Sequence, residues 1–174
     1  MPPEDNVIVR GENGDDAAER SSIHSINQAA FGSQEEADLV DELRSEGLVL
    51  ASLVAEVPGR IVGHILFSRM SIETASGSVS AVALAPMAVL PDYQRRGVGG
   101  RLICNGLDLM RRQGERIVIV IGHPNYYPRF GFSSEIARSL ESPFDYDVFM
   151  AMELSPGALD GVRGRVRYPA AFAI

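Results

Sequence analysis

Glycine and arginine residues are concentrated in one short stretch, Gln94-Arg95-Arg96-Gly97-Val98-Gly99-Gly100. An apolar, strand-like segment over residues 79–90 precedes it, and apolar residues recur at helical spacing after it. The stretch is therefore predicted to open a helix, where backbone N–H groups lack intrahelical partners and the helix dipole is positive. Glycines let an anion approach the backbone and arginines add charge, so the stretch predicts a phosphate-binding site.

Two common phosphate loops do not fit this stretch. All sixteen basic residues of the chain are arginine, so the lysine of a Walker A loop is absent. A dinucleotide-binding fingerprint places a third glycine three residues after the second, and after Gly97 and Gly99 that position is Leu102. The remaining pattern, Gln/Arg-x-x-Gly-x-Gly, resembles the acetyl-CoA pyrophosphate loop of the GNAT superfamily of N-acyltransferases.

The order of the neighbouring segments extends this resemblance over residues 48–133. Met87-Ala88-Val89 matches the apolar-x-Val end of the strand that precedes the loop in that family. A helix to about Gln113, an apolar strand over residues 117–121 and the segment Tyr127-Pro128-Arg129-Phe130-Gly131-Phe132 then follow in the family's order. The chain thus resembles an N-acetyltransferase that uses acetyl-CoA and acetylates a primary amine by direct attack in a ternary complex.

The resemblance implies a fold and a cofactor site. The GNAT fold has a mixed, mostly antiparallel sheet with a splayed pair of parallel strands and flanking helices. Acetyl-CoA is the implied cosubstrate, and its pantetheine arm is expected to enter between the splayed strands and to pair with Met87, Ala88 and Val89. An N–H group of Ala88 or Val89 is expected to donate to the developing oxyanion. Six residues are expected to hold the pyrophosphate: Arg95, Arg96, Gly97, Val98, Gly99 and Gly100.

A tyrosine is the expected general acid. In many GNAT enzymes the tyrosine four residues before the glycine of Tyr-x-x-x-Gly-Phe protonates the departing thiolate, and that position here is Tyr127. Tyr126 remains an alternative. Both tyrosines also suit a purely structural role, packing on the sheet.

The general base is less clearly marked. Many relatives carry a glutamate on the strand before this segment, but residues 117–121 include no carboxylate. His123, at the end of that strand, is the nearest titratable group and the first candidate. Glu56 is the second, and it is also a candidate substrate-binding residue together with Phe31. His24 and His64 are predicted to be structural, and without paired His or Cys spacing no metal site is expected.

Periodicity and turn residues predict the remaining elements. Two helices are expected early in the chain, from a cap in Gly14-Asp15-Asp16 to about Ala30 and from Gln34 to about Arg44. A hairpin, a β–α–β unit and a C-terminal group of strands should follow, over residues 48–57, 61–72, 79–90, 97–113, 117–121, 148–154 and 162–172. Residues 6–10 are predicted to open the sheet, and residues 133–147 to form a loop with a short helical piece.

Composition limits the class of protein. A length of 174 residues predicts a single domain over residues 1–174. The net charge of −7 argues against nucleic-acid binding. The single cysteine, Cys104, is expected to be buried and fits a reducing cytoplasm. No apolar run is long enough for a membrane span, and the acidic start of residues 1–5 lacks a signal-peptide pattern.

The sequence leaves two hypotheses about function open. The first is the cytoplasmic N-acetyltransferase, acting on an amine of a small molecule or a protein. The second is a non-catalytic acyl-CoA-binding regulatory module, which the missing strand carboxylate favours and Tyr127 argues against. Dimerisation is common in the family, so the resemblance leaves a homodimer open.

Overall fold

The computed structural model describes residues 6–174. Residues 1–5, on which the prediction of no signal peptide rests, lie outside the described residues. The helices are α1 (Ala17–Phe31), α2 (Glu35–Ser45) and α3 (Val98–Arg112). The strands are β1 (Ile8–Gly11), β2 (Val49–Val57), β3 (Arg60–Thr74), β4 (Gly77–Val89), β5 (Ile117–Ile121), β6 (Leu140–Glu141), β7 (Phe149–Glu153) and β8 (Gly164–Arg167). Single 3-10 turns cover Pro91–Tyr93, Tyr127–Phe130, Ile136–Ser139 and Ala170–Phe172.

The strands form one mixed sheet in the order β1-β2-β3-β4-β5-β7, with β8 pairing both β3 and β6. β4 and β5 are parallel, and their register joins Val82 to Val118 and Ala83 to Ile119. β5 is antiparallel to β7 along its whole length. The predicted mixed sheet with a parallel strand pair and flanking helices is therefore confirmed.

The chain divides into two compact units. The first unit comprises the chain through Phe67 together with Ala85–Gly106, and the second comprises Ser68–Leu84 and Leu107–Ile174. β3, β4 and α3 each contribute residues to both units. The assignment of residues 1–174 to a single domain stays a prediction.

In the first unit, small residues allow α3 to pack closely on β3. A β-carbon at Gly63 would lie 3.0 Å from Leu102 and 3.2 Å from Val98, and Gly106 lies directly under the ring of Phe67. The apolar stripe predicted for α3 is buried, with Leu102 and Ile103 fully inaccessible to solvent. On α1, Asp16 caps the helix by accepting the N–H of Ala18 at 2.9 Å.

A buried polar network, centred on His64, also lies in the first unit. Asn27 Nδ2 lies 3.2 Å from His64 Nδ1, and Ser52 Oγ lies 2.8 Å from His64 Nε2. Because the Ser52 hydroxyl donates to a carboxylate oxygen of Glu12, its oxygen must accept from His64, which fixes the proton on Nε2. Arg44 completes the hydrogen-bond network by donating to the other Glu12 carboxylate oxygen at 2.6 Å. His64 is thus structural, as predicted.

The second unit has its own apolar core. β5 lies between β4 and β7, so its residues Ile117, Val118, Ile119 and Val120 are buried. Phe149 and Leu140 pack into the same cluster. Arg69 and Glu115 form a two-pronged ion pair at 2.5 and 2.8 Å, and this partner raises the pKa of the arginine.

Three expectations from the sequence are wrong. Cys104 is exposed, because it follows Leu102 by two residues and so points to the opposite side of α3. The last strand is short, since β8 ends at Arg167 and a 3-10 turn follows. The segment predicted as a loop contains β6, which pairs with β8 in parallel. Among residues 6–174, no helix is both long and apolar enough to cross a membrane.

Candidate active site

The loop after β4 is tied back to the end of that strand. Leu90 donates its N–H to Val62 of β3 at 2.9 Å, and Pro91 then starts a 3-10 turn. The side chain of Gln94 donates from Nε2 to the carbonyl oxygen of Val89 at 2.9 Å. The strand end and the loop are therefore held as one piece by hydrogen bonds within the first unit.

The backbone turns sharply before α3 begins at Val98. Arg95 has a φ of +62° and Gly97 a φ of +78°, both in the left-handed region that non-glycine residues rarely adopt. The N–H of Arg101 makes a helical bond to the Gly97 carbonyl oxygen at 3.1 Å. The N–H groups of Val98, Gly99 and Gly100 precede this bond, in the helix turn that leaves donors without intrahelical partners.

This turn presents positive charge to solvent. Arg95, Arg96 and Gly97 are exposed, and no atom lies within 4 Å of where a Gly97 β-carbon would be. Arg96 stacks over the ring of Tyr93 at 5.6 Å. Within residues 6–174 neither Arg95 nor Arg96 forms an ion pair, so both guanidinium groups keep their charge for a ligand. Open space, helix-end donors and unpaired arginines fit a diphosphate group.

Tyr127 follows β5 in the second unit. The carbonyl oxygen of His123 accepts the N–H groups of Tyr126 at 3.1 Å and Tyr127 at 3.3 Å, which starts a 3-10 turn. The turn ends at Gly131, whose φ is +105°. The Tyr127 ring is only 8% exposed and meets the rings of Tyr126 and Phe132 edge-on.

Burial keeps Tyr127 protonated. Desolvation, with a smaller contribution from Tyr126, raises its pKa to about 12, because the phenolate form loses its hydration. A neutral hydroxyl is the form that can donate a proton. His123 is exposed at the end of the same strand.

The two candidate substrate residues lie on different elements of the first unit. Glu56, near the end of β2, shares Arg10 with Glu19, and both oxygen–nitrogen distances are 2.8 Å. Glu56 also lines a surface cavity of about 470 Å³, together with Glu19, Arg60 and serines of α1. Phe31 is the last residue of α1, is 45% exposed, and is not among the residues that line this cavity. The structure does not bring Phe31 and Glu56 into one pocket.

Sequence reasoning missed the residues that support the loop and the tyrosine. Three contacts depend on the folded geometry and not on local sequence. Gln94 closes the loop, Arg96 stacks on Tyr93, and Gly122 lies beside Tyr127. Of these contacts, only that between Gly122 and Tyr127 has a signal in the sequence, the high density of glycine and aromatic residues in residues 122–132. Within residues 6–174 no group of three or more His, Cys, Asp or Glu is placed to hold a metal ion.

Comparison with known proteins identifies the family. The family described as "Acetyltransferase (GNAT) domain" matches residues 16–134. The chain is 44% identical over 119 residues to the uncharacterized N-acetyltransferase YjhQ of Escherichia coli (strain K12), a match that covers 67% of this chain and 66% of YjhQ. The chain therefore spans slightly less than two thirds of that relative.

Two solved structures resemble the whole chain. The GNAT family N-acetyltransferase YhbS from Escherichia coli, in complex with CoA, has a TM-score of 0.88 and 29% identity, over 100% of this chain and 96% of that one. A GNAT family acetyltransferase from Brucella melitensis, in complex with acetyl-CoA, has a TM-score of 0.78 and 33% identity, over 95% and 97% of the two chains. The family match covers most of this chain, and both solved structures are similar to it. The chain therefore belongs to the GNAT family of acetyltransferases.

Proposed function

We propose that the protein transfers an acetyl group from acetyl-CoA to a primary amine, by direct attack of the amine in a ternary complex. The observation that carries this proposal is the turn before α3, where exposed Arg95 and Arg96 flank helix-end N–H groups. Its geometry suits a diphosphate. The similar YhbS and Brucella structures contain CoA and acetyl-CoA, which supports the same ligand here.

The backbone at the end of β4 supports a specific oxyanion donor. The N–H of Leu90 is directed at β3, where it bonds Val62. Backbone groups alternate in direction along an extended strand, so the N–H of Val89 is directed away from β3. Val89 is therefore the better donor to the thioester oxygen, with Met87 and Ala88 contributing to the pantetheine contact.

An acceptor that rests as an ammonium ion first loses one proton to solvent. From the neutral amine onward, the chemistry requires one bond exchange and two proton movements. Bound acetyl-CoA supplies a thioester, in which a C–N bond to the amine replaces the C–S bond as the sulfur leaves. Tyr127 donates its Oη proton to that sulfur, so CoA departs as the free thiol, and solvent then reprotonates the phenolate. His123, at the end of β5, accepts the proton that the amine loses, directly or through water.

The acceptor amine is proposed to be cationic in its resting form. Three carboxylates (Asp16, Glu19 and Glu56) and two arginines (Arg10 and Arg60) line the cavity, so its charged side chains sum to −1. A carboxylate-rich wall favours an ammonium or guanidinium group. Phe31 is proposed as an apolar contact for the acceptor. The net charge of −7 argues against a nucleic-acid partner. The single cysteine fits a protein that acts in a reducing cytoplasm.

Replacing Tyr127 by phenylalanine tests the catalytic proposal. With acetyl-CoA and a panel of primary amines, thiol release should fall about 100-fold or more, the usual contribution of a general acid. Calorimetric titration should give an unchanged dissociation constant for acetyl-CoA, because the hydroxyl acts only during transfer. Tyr126→Phe is the matched variant and should keep its turnover.

Other outcomes would contradict the proposal in distinct ways. A loss of turnover in Tyr126→Phe but not in Tyr127→Phe would transfer the acid role to Tyr126. Tight acetyl-CoA binding by the wild type, with no thiol release for any amine of the panel, would favour the non-catalytic acyl-CoA-binding module.

A further inference from the structure

Gly122 connects β5 to the segment that carries Tyr127. Its N–H donates to the carbonyl oxygen of Val148 at 3.0 Å, which fixes the backbone directly after the strand. Its φ is outside the left-handed region that favours glycine. Any L-amino acid could therefore adopt this backbone conformation. The reason for a glycine here must be space.

That space is filled by the Tyr127 ring. A β-carbon at Gly122 would lie 2.6 Å from Cδ2 and 3.2 Å from Cζ of Tyr127, and closer still to Cε2. Non-bonded carbon atoms approach to about 3.5–4.0 Å at their optimal separation. The Cδ2–Cε2 edge of the ring therefore lies against Gly122, and a side chain at this position does not fit unless the ring moves.

The ring has little freedom to move elsewhere. Tyr126 and Phe132 meet it edge-on, with centroid distances of 5.2 and 5.7 Å. Phe132 is itself buried at 2% exposure. A side chain at position 122 would therefore displace the Tyr127 ring from its place between these neighbours, and its hydroxyl with it.

We propose that Gly122 is a positioning residue for Tyr127, because the missing side chain creates the slot that fixes the place of the catalytic hydroxyl. The inference rests on the proposed role of Tyr127 as general acid. It assigns to Gly122 an effect on kcat and none on the binding of acetyl-CoA. A misplaced hydroxyl lowers the rate steeply, by about 100-fold for a displacement of about 1 Å.

The position of the ring can be measured without any acceptor. The chain has five tyrosines, so protein labelled with 3-fluorotyrosine gives few ¹⁹F resonances, and Tyr127→Phe identifies that of Tyr127. In Gly122→Ala this resonance should shift, because the displaced ring changes its surroundings. Gly106→Ala is the matched control, since it also puts a methyl group under an aromatic ring, that of Phe67, and it should leave the Tyr127 resonance in place. An unmoved resonance in Gly122→Ala would overturn the proposal.

Kinetics separate this inference from the proposed function. Gly122→Ala should lower kcat about 100-fold in the wild type, and should lower it no further in the Tyr127→Phe background, where the hydroxyl is already absent. An equal additional loss in both backgrounds would show that Gly122 acts by another route. Wild-type turnover in Tyr127→Phe would instead refute the acid role and leave the ¹⁹F result standing.

A second variant covers a failure to fold. Tyr127→Leu removes the ring that the new methyl group meets. The fall in Tm caused by Gly122→Ala should therefore be smaller in the Tyr127→Leu background than in the wild type. An equal fall in both would place the steric conflict elsewhere and contradict the proposal.

Discussion

The side chain of Gln94 donates a hydrogen bond to the carbonyl oxygen of Val89, at 2.9 Å. Val89 is the last residue of β4 and the proposed oxyanion donor, whereas Gln94 opens the proposed pyrophosphate loop. One hydrogen bond thus joins the two parts of the proposed cofactor site that lie in the first unit. The Gln of the Gln/Arg-x-x-Gly-x-Gly pattern acts in this structure on the protein backbone.

Gln94→Met is expected to loosen the loop. Methionine has a similar length but no N–H, so the variant loses one hydrogen bond worth about 1 kcal/mol. The dissociation constant for acetyl-CoA should rise about five-fold, as measured by calorimetric titration. Gln113→Met, at an exposed position after α3, is the control and should bind as the wild type does. Equal affinities in the two variants would contradict a structural role for Gln94 in the loop.

Arg95 is expected to combine backbone strain with ligand binding. Its φ of +62° costs a non-glycine residue about 1–2 kcal/mol. Arg95→Gly and Arg95→Ala both remove the guanidinium group, and each should weaken acetyl-CoA binding about ten-fold. Only the glycine relieves the strain.

The stability of the same two variants tests the strain directly. In urea unfolding, Arg95→Gly should exceed Arg95→Ala in free energy of unfolding by about 1 kcal/mol. Indistinguishable unfolding curves would show that the loop relaxes when the arginine side chain is removed.

His64 is expected to make stability depend on acid pH. Burial, together with the charge of Arg44, lowers its pKa from 6.5 to about 3. Between these values the unfolded chain binds a proton that the folded chain does not, so the free energy of unfolding falls as the pH is lowered. The contribution reaches about 1.4 kcal/mol per pH unit.

His64→Gln should reduce this slope, as measured by urea unfolding at several values between pH 6.5 and 3. Glutamine keeps a donor for Ser52 but cannot be protonated in this range. Identical slopes for the wild type and His64→Gln would contradict the pKa shift.

The sequence predicted the elements whose signal is local. The buried stripe of α3 follows from residues spaced three and four apart, and β5 from five consecutive apolar residues with β-branched side chains. A cap within Gly14-Asp15-Asp16 is also predictable, because a capping side chain acts on residues two and three positions later; the structure assigns it to Asp16. Cys104 is exposed although its neighbours in sequence are apolar, because its angle on the helix, and not its neighbours, decides its burial.

Relations between distant segments could not be predicted. β6 has only two residues and forms by pairing with β8. No local sequence pattern predicts this pairing. The ion pair of Glu56 with Arg10 depends on the register of β1 against β2. The slot at Gly122 is similar, since only the folded chain shows which ring fills it. The last two features belong to the candidate site and depend on the folded chain, whereas the glycines, arginines and tyrosines of the site are visible in the sequence.

Calorimetric titration of acetyl-CoA against the wild type, Gly99→Glu and Gly99→Gln tests the central claim most directly. The wild type should bind acetyl-CoA in the micromolar range. Gly99→Glu should bind least, because its charge and bulk lie where the pyrophosphate is proposed, and Gly99→Gln should lose only the part due to bulk. Circular dichroism should show both variants folded. Absence of acetyl-CoA binding by the folded wild type would contradict the proposed acetyltransferase function, and equal affinities in all three proteins would contradict the assignment of the loop.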